Sequence, residues 1–418
     1  MEKIIKTTLE KIISPVKNSL ISGPFGSNIS SKYFVDSGIP VIRGNNLSLS
    51  YDKFYDSGFV YVTKEKADEL KCDALPGDLI FTSAGTLGQV GLITDNTKYK
   101  RYVISNKQIR ARIDTAKVNN LYAYYWFSSK WIQNYLNNNN KGSTVPLLTL
   151  NEVKNLPIYY PENIKQQEKI ANFLDLISNI IENNNKFLNE LEKIIKTTYL
   201  YWFVQFDFPD EKGHPYKSSG GKMVYNNILN KEIPVGWKVV RLKELVEKCN
   251  TEVFDYSSQV DTVDLSIMPS GSINLNELND SNNFSTNLYF MKKGTFLFGS
   301  IRPYLKKAVI APCDGAVAGT VHSFKTKNDI NYNFILGTII NDFFFNYAVQ
   351  ISKGTKMPVV GFDDLLEYPV AYNETIVEKF NSHDYKSIIC DKIMENIKYN
   401  KMRDNFAPLL MDGTLYFE

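Results

Sequence analysis

Cysteine and histidine are scarce. Cys72, Cys249, Cys313 and Cys390 lie far apart in 418 residues, without a Cys-x-x-Cys pair, and only His214, His322 and His383 could join them as ligands. Neither a zinc site nor a disulfide framework is supported, and all four cysteines read as reduced thiols. No apolar run approaches membrane-spanning length, and Met1-Glu2-Lys3-Ile4-Ile5-Lys6 lacks the apolar stretch and small-residue cleavage site of a signal peptide. The expectation is a cytoplasmic protein. Catalytic motifs are missing as well. No Asn/Asp-Pro-Pro-aromatic tetrapeptide of an adenine methyltransferase occurs, and Gly85, Gly88 and Gly91 fall three apart, as turn glycines do, not as GxGxxG. Lys222 follows Gly220-Gly221, but a phosphate loop needs glycine where Tyr216 stands and Ser or Thr where Met223 stands. Asp210-Glu211-Lys212 reads as a charged turn, not a nuclease core. The chain is therefore expected to be non-catalytic, with no metal or cofactor of its own.

What is present suits two ordinary domains plus connectors, with 43% apolar and 22% charged residues. A net charge of +3 announces nothing by itself, but its distribution is uneven. Between Lys98 and Lys154 stand Lys100, Arg101, Lys107, Arg110, Arg112, Lys117, Lys130 and Lys141, against only Asp114 and Glu152. Such an excess suits phosphate neutralisation; a solvated surface with chance clustering is the alternative.

The chain repeats itself. Gly142-Ser143-Thr144-Val145-Pro146 returns as Gly354-Thr355-Lys356-Met357-Pro358, and Leu156-Pro157-Ile158 as Tyr368-Pro369-Val370, at a constant offset of 212 residues. Gly77-Asp78-Leu79-Ile80-Phe81 is echoed by Gly294-Thr295-Phe296-Leu297-Phe298, and Leu9-Glu10-Lys11-Ile12-Ile13 by Leu242-Lys243-Glu244-Leu245-Val246. Each half opens with a short helix, passes through β-branched and aromatic strand runs bounded by turn residues, and closes with a long helix. The Tyr122–Leu136 segment reads as one helix whose aromatics belong to the core, with a base-stacking platform as the alternative.

Ile170, Leu174, Ile177, Ile181, Asn184, Leu188, Leu191, Ile195, Thr198 and Trp202 alternate spacings of four and three, the seam of a coiled coil. Asn184 on that seam is either a register-fixing residue or a solvent-facing one at a local distortion. Tyr385, Ile389, Ile393, Ile397, Met402 and Phe406 repeat the pattern less regularly, so two antiparallel helices are expected. Phe208-Pro209-Asp210 through Gly220-Gly221 reads as a turn-rich connector.

Leu156-Pro157-Ile158-Tyr159-Tyr160-Pro161, followed by Gln166-Gln167-Glu168-Lys169-Ile170-Ala171, resembles the entry into the central helix of type I restriction-modification specificity subunits. Trp202-Phe203-Val204-Gln205-Phe206-Asp207-Phe208, Ile233-Pro234-Val235-Gly236-Trp237 and Met402-Arg403-Asp404-Asn405-Phe406-Ala407-Pro408-Leu409-Leu410-Met411-Asp412-Gly413 are similar to further hallmarks of that family. So are Gly23-Pro24-Phe25-Gly26-Ser27, Gly38-Ile39-Pro40-Val41-Ile42-Arg43-Gly44-Asn45 and Ile301-Arg302-Pro303-Tyr304-Leu305-Lys306-Lys307. The resemblance covers nearly the whole chain. It departs at Ser83-Ala84, where the family often has a basic residue, and at Asp412, where asparagine is frequent.

The resemblance implies an α+β fold with two target recognition domains separated by two long antiparallel coiled-coil helices, a pseudo-twofold internal repeat. The expected division is 1–162 and 236–373 for the recognition domains, 163–203 and 374–418 for the helices, and 204–235 for a connector. It further implies binding of an asymmetric bipartite target in double-stranded DNA, two methyltransferase subunits carrying S-adenosylmethionine, and motor-nuclease subunits using ATP and magnesium. No membrane is involved. A stand-alone two-headed DNA-binding regulator is the alternative reading. The candidate DNA contacts are Lys107, Arg110 and Arg112 in the first half and Arg302, Lys306 and Lys307 in the second. Lys32, Arg43, Lys141, Ser143, Lys353 and Lys356 complete the set. The glycines of Gly23–Ser27, Gly142 and Gly354 either let backbone approach phosphate or only form turns.

Overall fold

The structure is a computed structural model that describes residues 3–139, 147–249, 252–255 and 258–417. The chain forms two compact units, Met1–Glu182 with Tyr399–Glu418, and Asn183–Lys398. Among the described residues no single helix is long and apolar enough to cross a membrane.

In the first unit, strand Ile4–Thr8 pairs antiparallel with Pro157–Pro161 and leads into the one-turn helix Leu9–Ile12, whose Leu9 and Ile12 are fully buried. One four-stranded antiparallel sheet runs Leu20–Ser22, Gln108–Ala111, Leu79–Thr82, Val90–Leu92. A second runs Val60–Val62, Ile39–Ile42, Tyr102–Ile104, Asp73–Ala74, with Ile39–Ile42 parallel to Tyr102–Ile104. Leu79-Ile80-Phe81-Thr82 is buried throughout: Leu79 and Phe81 pack in one core, Ile80 in the other. A strand covered on both faces reads as a continuous apolar run.

The second unit repeats this plan. Lys238–Arg241 pairs with Pro369–Tyr372 and leads into the one-turn helix Leu242–Leu245. Its antiparallel sheet runs Val246–Lys248, Val321–Thr326, Phe296–Gly299, Ala308–Ile310. Its mixed sheet runs Asn279–Asp280, Asp261–Val263, Gly315–Ala318, Leu288–Met291, with the parallel pair at the same place.

The aromatic segment is two helices, Asn120–Phe127 and Lys130–Asn139, where the sequence suggests one. Ser129 accounts for the break: its hydroxyl accepts from Ile132 N (3.4 Å), capping the second helix while Ser128 ends the first. The other unit breaks at the repeat-equivalent residue, Asn341, whose side chain caps Asp342–Ile351 through Phe343 N (3.2 Å). Tyr122, Tyr124, Tyr125, Trp126 and Phe127 are buried and belong to the core, whereas Trp131 and Tyr135 on the second helix are exposed (43% and 38%) and depart from that expectation.

The long helices are Ile164–Tyr199 and Tyr385–Met411. Ile170, Leu174, Ile177, Ile181, Asn184, Leu188, Leu191 and Ile195 are all buried, as the heptad spacing requires. The register is antiparallel: Phe173 meets Phe406 in the first unit (6.2 Å between rings), and Asn184 meets Asn396 in the second (2.9 Å). Segment 204–235 is more ordered than a bare connector, holding the hairpin Met223–Asn226/Lys231–Pro234 and a stack of Phe208 on Tyr216 and Trp237 (4.8 and 5.1 Å).

Candidate nucleic-acid interface

In the first unit, the loops that leave neighbouring strands at one end of the sheets surround an open cleft of about 770 Å³. Arg43 and Asn45 come from the turn after Ile39–Ile42, Gly85 and Thr86 from the turn after Leu79–Thr82, and Asn106 and Lys107 from the turn before Gln108–Ala111. Polar side chains fix these turns. Gln89 Nε2 donates to Gly44 O (3.2 Å) and Leu47 O (3.1 Å) while Gln89 Oε1 accepts from Thr82 Oγ1 (3.0 Å), tying two of the turns together. Asn46 bonds Tyr55 O and Ser57 O (2.9 Å each) and accepts from Arg43 N (3.0 Å). Gly23 is needed for close approach: a Cβ there would sit 1.8 Å from Ser105 O. Its phosphate-or-turn alternative thus gains a third answer, a contact between two backbones.

Arg43 and Lys107 are the two candidate cations that line the cleft. Lys107 is exposed and, among the described residues, has no ion pair; Arg43 Nε is buried without a hydrogen-bond partner. Lys32 is exposed nearby in sequence, its ammonium over the Tyr33 ring at 4.7 Å. Exposed Asn45, Asn106 and Thr86 also line the cleft and were not singled out from the sequence, where flanking glycine and serine made them look like ordinary turn residues.

Arg110 corrects the sequence reading, whereas Arg112 is held in an ion pair with 32% of its side chain still exposed. Both project from the strand Gln108–Ala111 or its end toward Asp78, which is 1% exposed. Arg112 grips Asp78 with Nε and Nη2, each at 2.8 Å, and Arg110, 4% exposed, lies 3.7 Å from the same carboxylate and bonds Asn18 O. Burial pulls the Arg110 guanidinium below its ordinary pKa, with Asp78 opposing, while hydrogen bonds to Asp78 raise that of Arg112. Removing water from the Arg110 side chain leaves it no face for DNA.

In the second unit, the turn 299–307 and the segment 353–359, itself closed by a bridge of Lys353 to Val359, are joined by a bridge of Val359 to Ile301 and by Arg302 N donating to Pro358 O (2.7 Å). This assembly gathers Arg302, Lys306, Lys353 and Lys356. Arg302 and Lys356 are exposed and have no ion pair among the described residues. Lys306 pairs with Asp342 (2.7 Å) and Lys353 with Asp364 (3.3 Å), both exposed pairs of the kind that contribute little. Lys307 turns away, its ammonium donating to Leu265 O. Lys141, Gly142 and Ser143 lie outside the described residues. Among the described residues no three His, Cys, Asp or Glu side chains converge as a metal site would require. Burial pushes the Cys72 and Cys390 thiols up to about 11, away from nucleophilic use.

The family model described as the type I restriction modification DNA specificity domain matches residues 27–193. The chain is 28% identical over 409 residues to the type I restriction enzyme MjaIX specificity subunit of Methanocaldococcus jannaschii, covering 91% of this chain and 87% of that protein. To the EcoDI specificity subunit of Escherichia coli it is 21% identical over 259 residues, 59% of this chain and 57% of that one. Its fold is similar to the crystal structure of the type I restriction-modification S subunit from M. genitalium, with a TM-score of 0.56 at 14% identity over 100% of this chain and 97% of the other.

Proposed function

The chain belongs to the family of type I restriction-modification specificity subunits, and from that premise we propose that it reads a bipartite DNA target, one half through each unit. Methylation of adenine and cleavage are then the work of separate methyltransferase and motor-nuclease subunits, which carry the S-adenosylmethionine, ATP and magnesium. The observation that carries the two-part reading is a repeated scaffold with unlike side chains at matching positions. Strand register makes Arg43 the counterpart of Asp264, Lys107 of Thr320, and Gly85 of Arg302. One backbone plan with two sets of reading groups suits an asymmetric target.

The chemistry of the first cleft supports this. A guanidinium such as that of Arg43 can fork onto guanine, and carboxamides such as Asn45 and Asn106 match the adenine edge. Lys107 and Lys32 suit phosphate, which positions the duplex without reading it. In the second unit Arg302 is the base-reading candidate, with Lys306, Lys353 and Lys356 on the backbone. Docking of partner subunits is supported by a second, outward apolar stripe on the central helix, Leu176, Phe187 and Ile194, at 60%, 47% and 53% exposure, and by exposed Ile388 and Leu409 on the other long helix.

The test is selection of binding sequences by the purified full chain from a pool of random-sequence duplex DNA. Two short, dissimilar motifs at a fixed spacing are expected. Enrichment of a single motif, or of none, contradicts the proposal.

A further inference from the structure

The hairpin turn of each antiparallel sheet, one residue longer in the second unit, places left-handed backbone at corresponding positions but with a different chemistry. In the first unit it links Phe81 to its partner Val90, and in the second Phe298 to Ala308. Each turn has two positions in the left-handed region. In the first unit these are Gly85 (φ +103) and Gly88 (φ +86), whereas in the second they are Arg302 (φ 52) and Lys306 (φ 53). Residues with a side chain seldom adopt that conformation, because Cβ crowds the following carbonyl. Arg302 and Lys306 are two of only six such residues in the described chain, and they share one turn.

Backbone hydrogen bonds hold them there. Arg302 N donates to Pro358 O (2.7 Å), Lys306 N to Pro303 O (2.9 Å), and Gly271 N to Lys306 O (2.9 Å). Pro303 also disfavours the right-handed helical conformation for Arg302. Strain kept by its surroundings and paired with an exposed, unneutralised guanidinium is a mark of function more than of packing. The positions that supply positive charge in the first unit cannot do so here. The counterpart of Arg43 is Asp264, whose oxygens accept from Ser266 Oγ (2.9 Å), Ser266 N (3.0 Å) and Asn279 Nδ2 (2.8 Å), and the counterpart of Lys107 is Thr320.

We propose that the second unit reads its half-site through Arg302 and anchors the adjoining phosphate through Lys306, cations held at the two left-handed positions that the first unit fills with glycine, so that the two units address DNA from different loops of one scaffold. The proposal rests on the DNA-reading function above and assigns the base-reading and the positioning residue of this half. Lys306 reaches phosphate by exchanging its exposed pair with Asp342, and Arg302 supplies the fork for a guanine.

The substitutions that separate recognition from structure are Arg302→Gly and Lys306→Gly, which restore the residue type of the first unit and relieve the backbone. The full-length double variant is put through selection from the same random duplex pool, alongside thermal denaturation. One half-motif should be lost or degraded while the other persists, affinity for the duplex selected by the unaltered chain should fall roughly tenfold to hundredfold, and the melting temperature should hold or rise. Asn tolerates the left-handed region, so Arg302→Asn with Lys306→Asn gives the same result by a second route. Both half-motifs at unchanged affinity would overturn the assignment and leave the split-target function standing. Loss of both half-motifs, or a lowered melting temperature in both double variants, would make the two residues structural and equally overturn it. If the unaltered chain enriches no motif, the underlying function falls and this assignment with it.

Discussion

Lys107 and Arg110 stand three residues apart, and from the sequence they look alike. Arg110 sits on a strand with its side chain under the sheet, beside a carboxylate 1% exposed, while Lys107 sits at the turn with its side chain in solvent. The repeat explains the difference. By strand register the counterpart of Arg110 is Ser323 and that of Asp78 is Thr295, so the second unit lacks both charges of the pair together, as expected of a structural ion pair. Asp78→Asn should therefore destabilise the chain by about 3 kcal/mol, since it strands the buried Arg110 charge and unpairs Arg112. Lys107→Ala should leave stability unchanged and reduce the slope of log affinity against log salt by roughly one. Denaturant unfolding and a salt titration of DNA binding check the pair; the opposite pattern would restore Arg110 to the contact surface. Composition shows the basic stretch, but which of its members face solvent depends on strand phase against a partner far away in sequence, and that the stretch does not contain.

Among elements, the long helices were the most legible because a heptad seam is a local pattern. For Asn184 the sequence allows two readings, and the structure resolves them. It is buried, and its side-chain nitrogen donates to Asn396 Oδ1 (2.9 Å) and Glu395 Oε2 (3.1 Å), while Asn396 Nδ2 donates to Asn185 Oδ1 (2.7 Å). Asn396 lies 212 residues after Asn184, the offset of the internal repeat, so the helices meet through equivalent residues. Asn274 Nδ2 joins the same network through Asn185 Oδ1 (2.9 Å), which ties a sheet-domain loop to the helices. The observed register satisfies these groups together. Asn184→Ala should cost about 1–3 kcal/mol, because it leaves a buried acceptor without its donor. The double change Asn184→Leu with Asn396→Leu should recover most of that loss, as a buried polar pair often gives little net stability over an apolar one. A double-mutant cycle by thermal denaturation measures the coupling; additive losses would show that the two asparagines do not act together. Strand order was not legible at this scale. The parallel pairing of Ile39–Ile42 with Tyr102–Ile104 joins segments about sixty residues apart, and the left-handed backbone at Arg302 and Lys306 carries no glycine to announce it.

For the whole molecule, the constant offset between Gly142 and Gly354 announced an internal duplication, and matching strand orders in the two units bear it out. On the proposed reading, function lies in which duplex sequence the two units accept. The most direct test is to map methylated adenines across the host genome by single-molecule sequencing, with and without the gene for this chain. The account predicts one methylated motif of two dissimilar half-sites separated by a fixed unread spacer, present with the gene and absent without it. A methylation pattern unchanged by the deletion would contradict it.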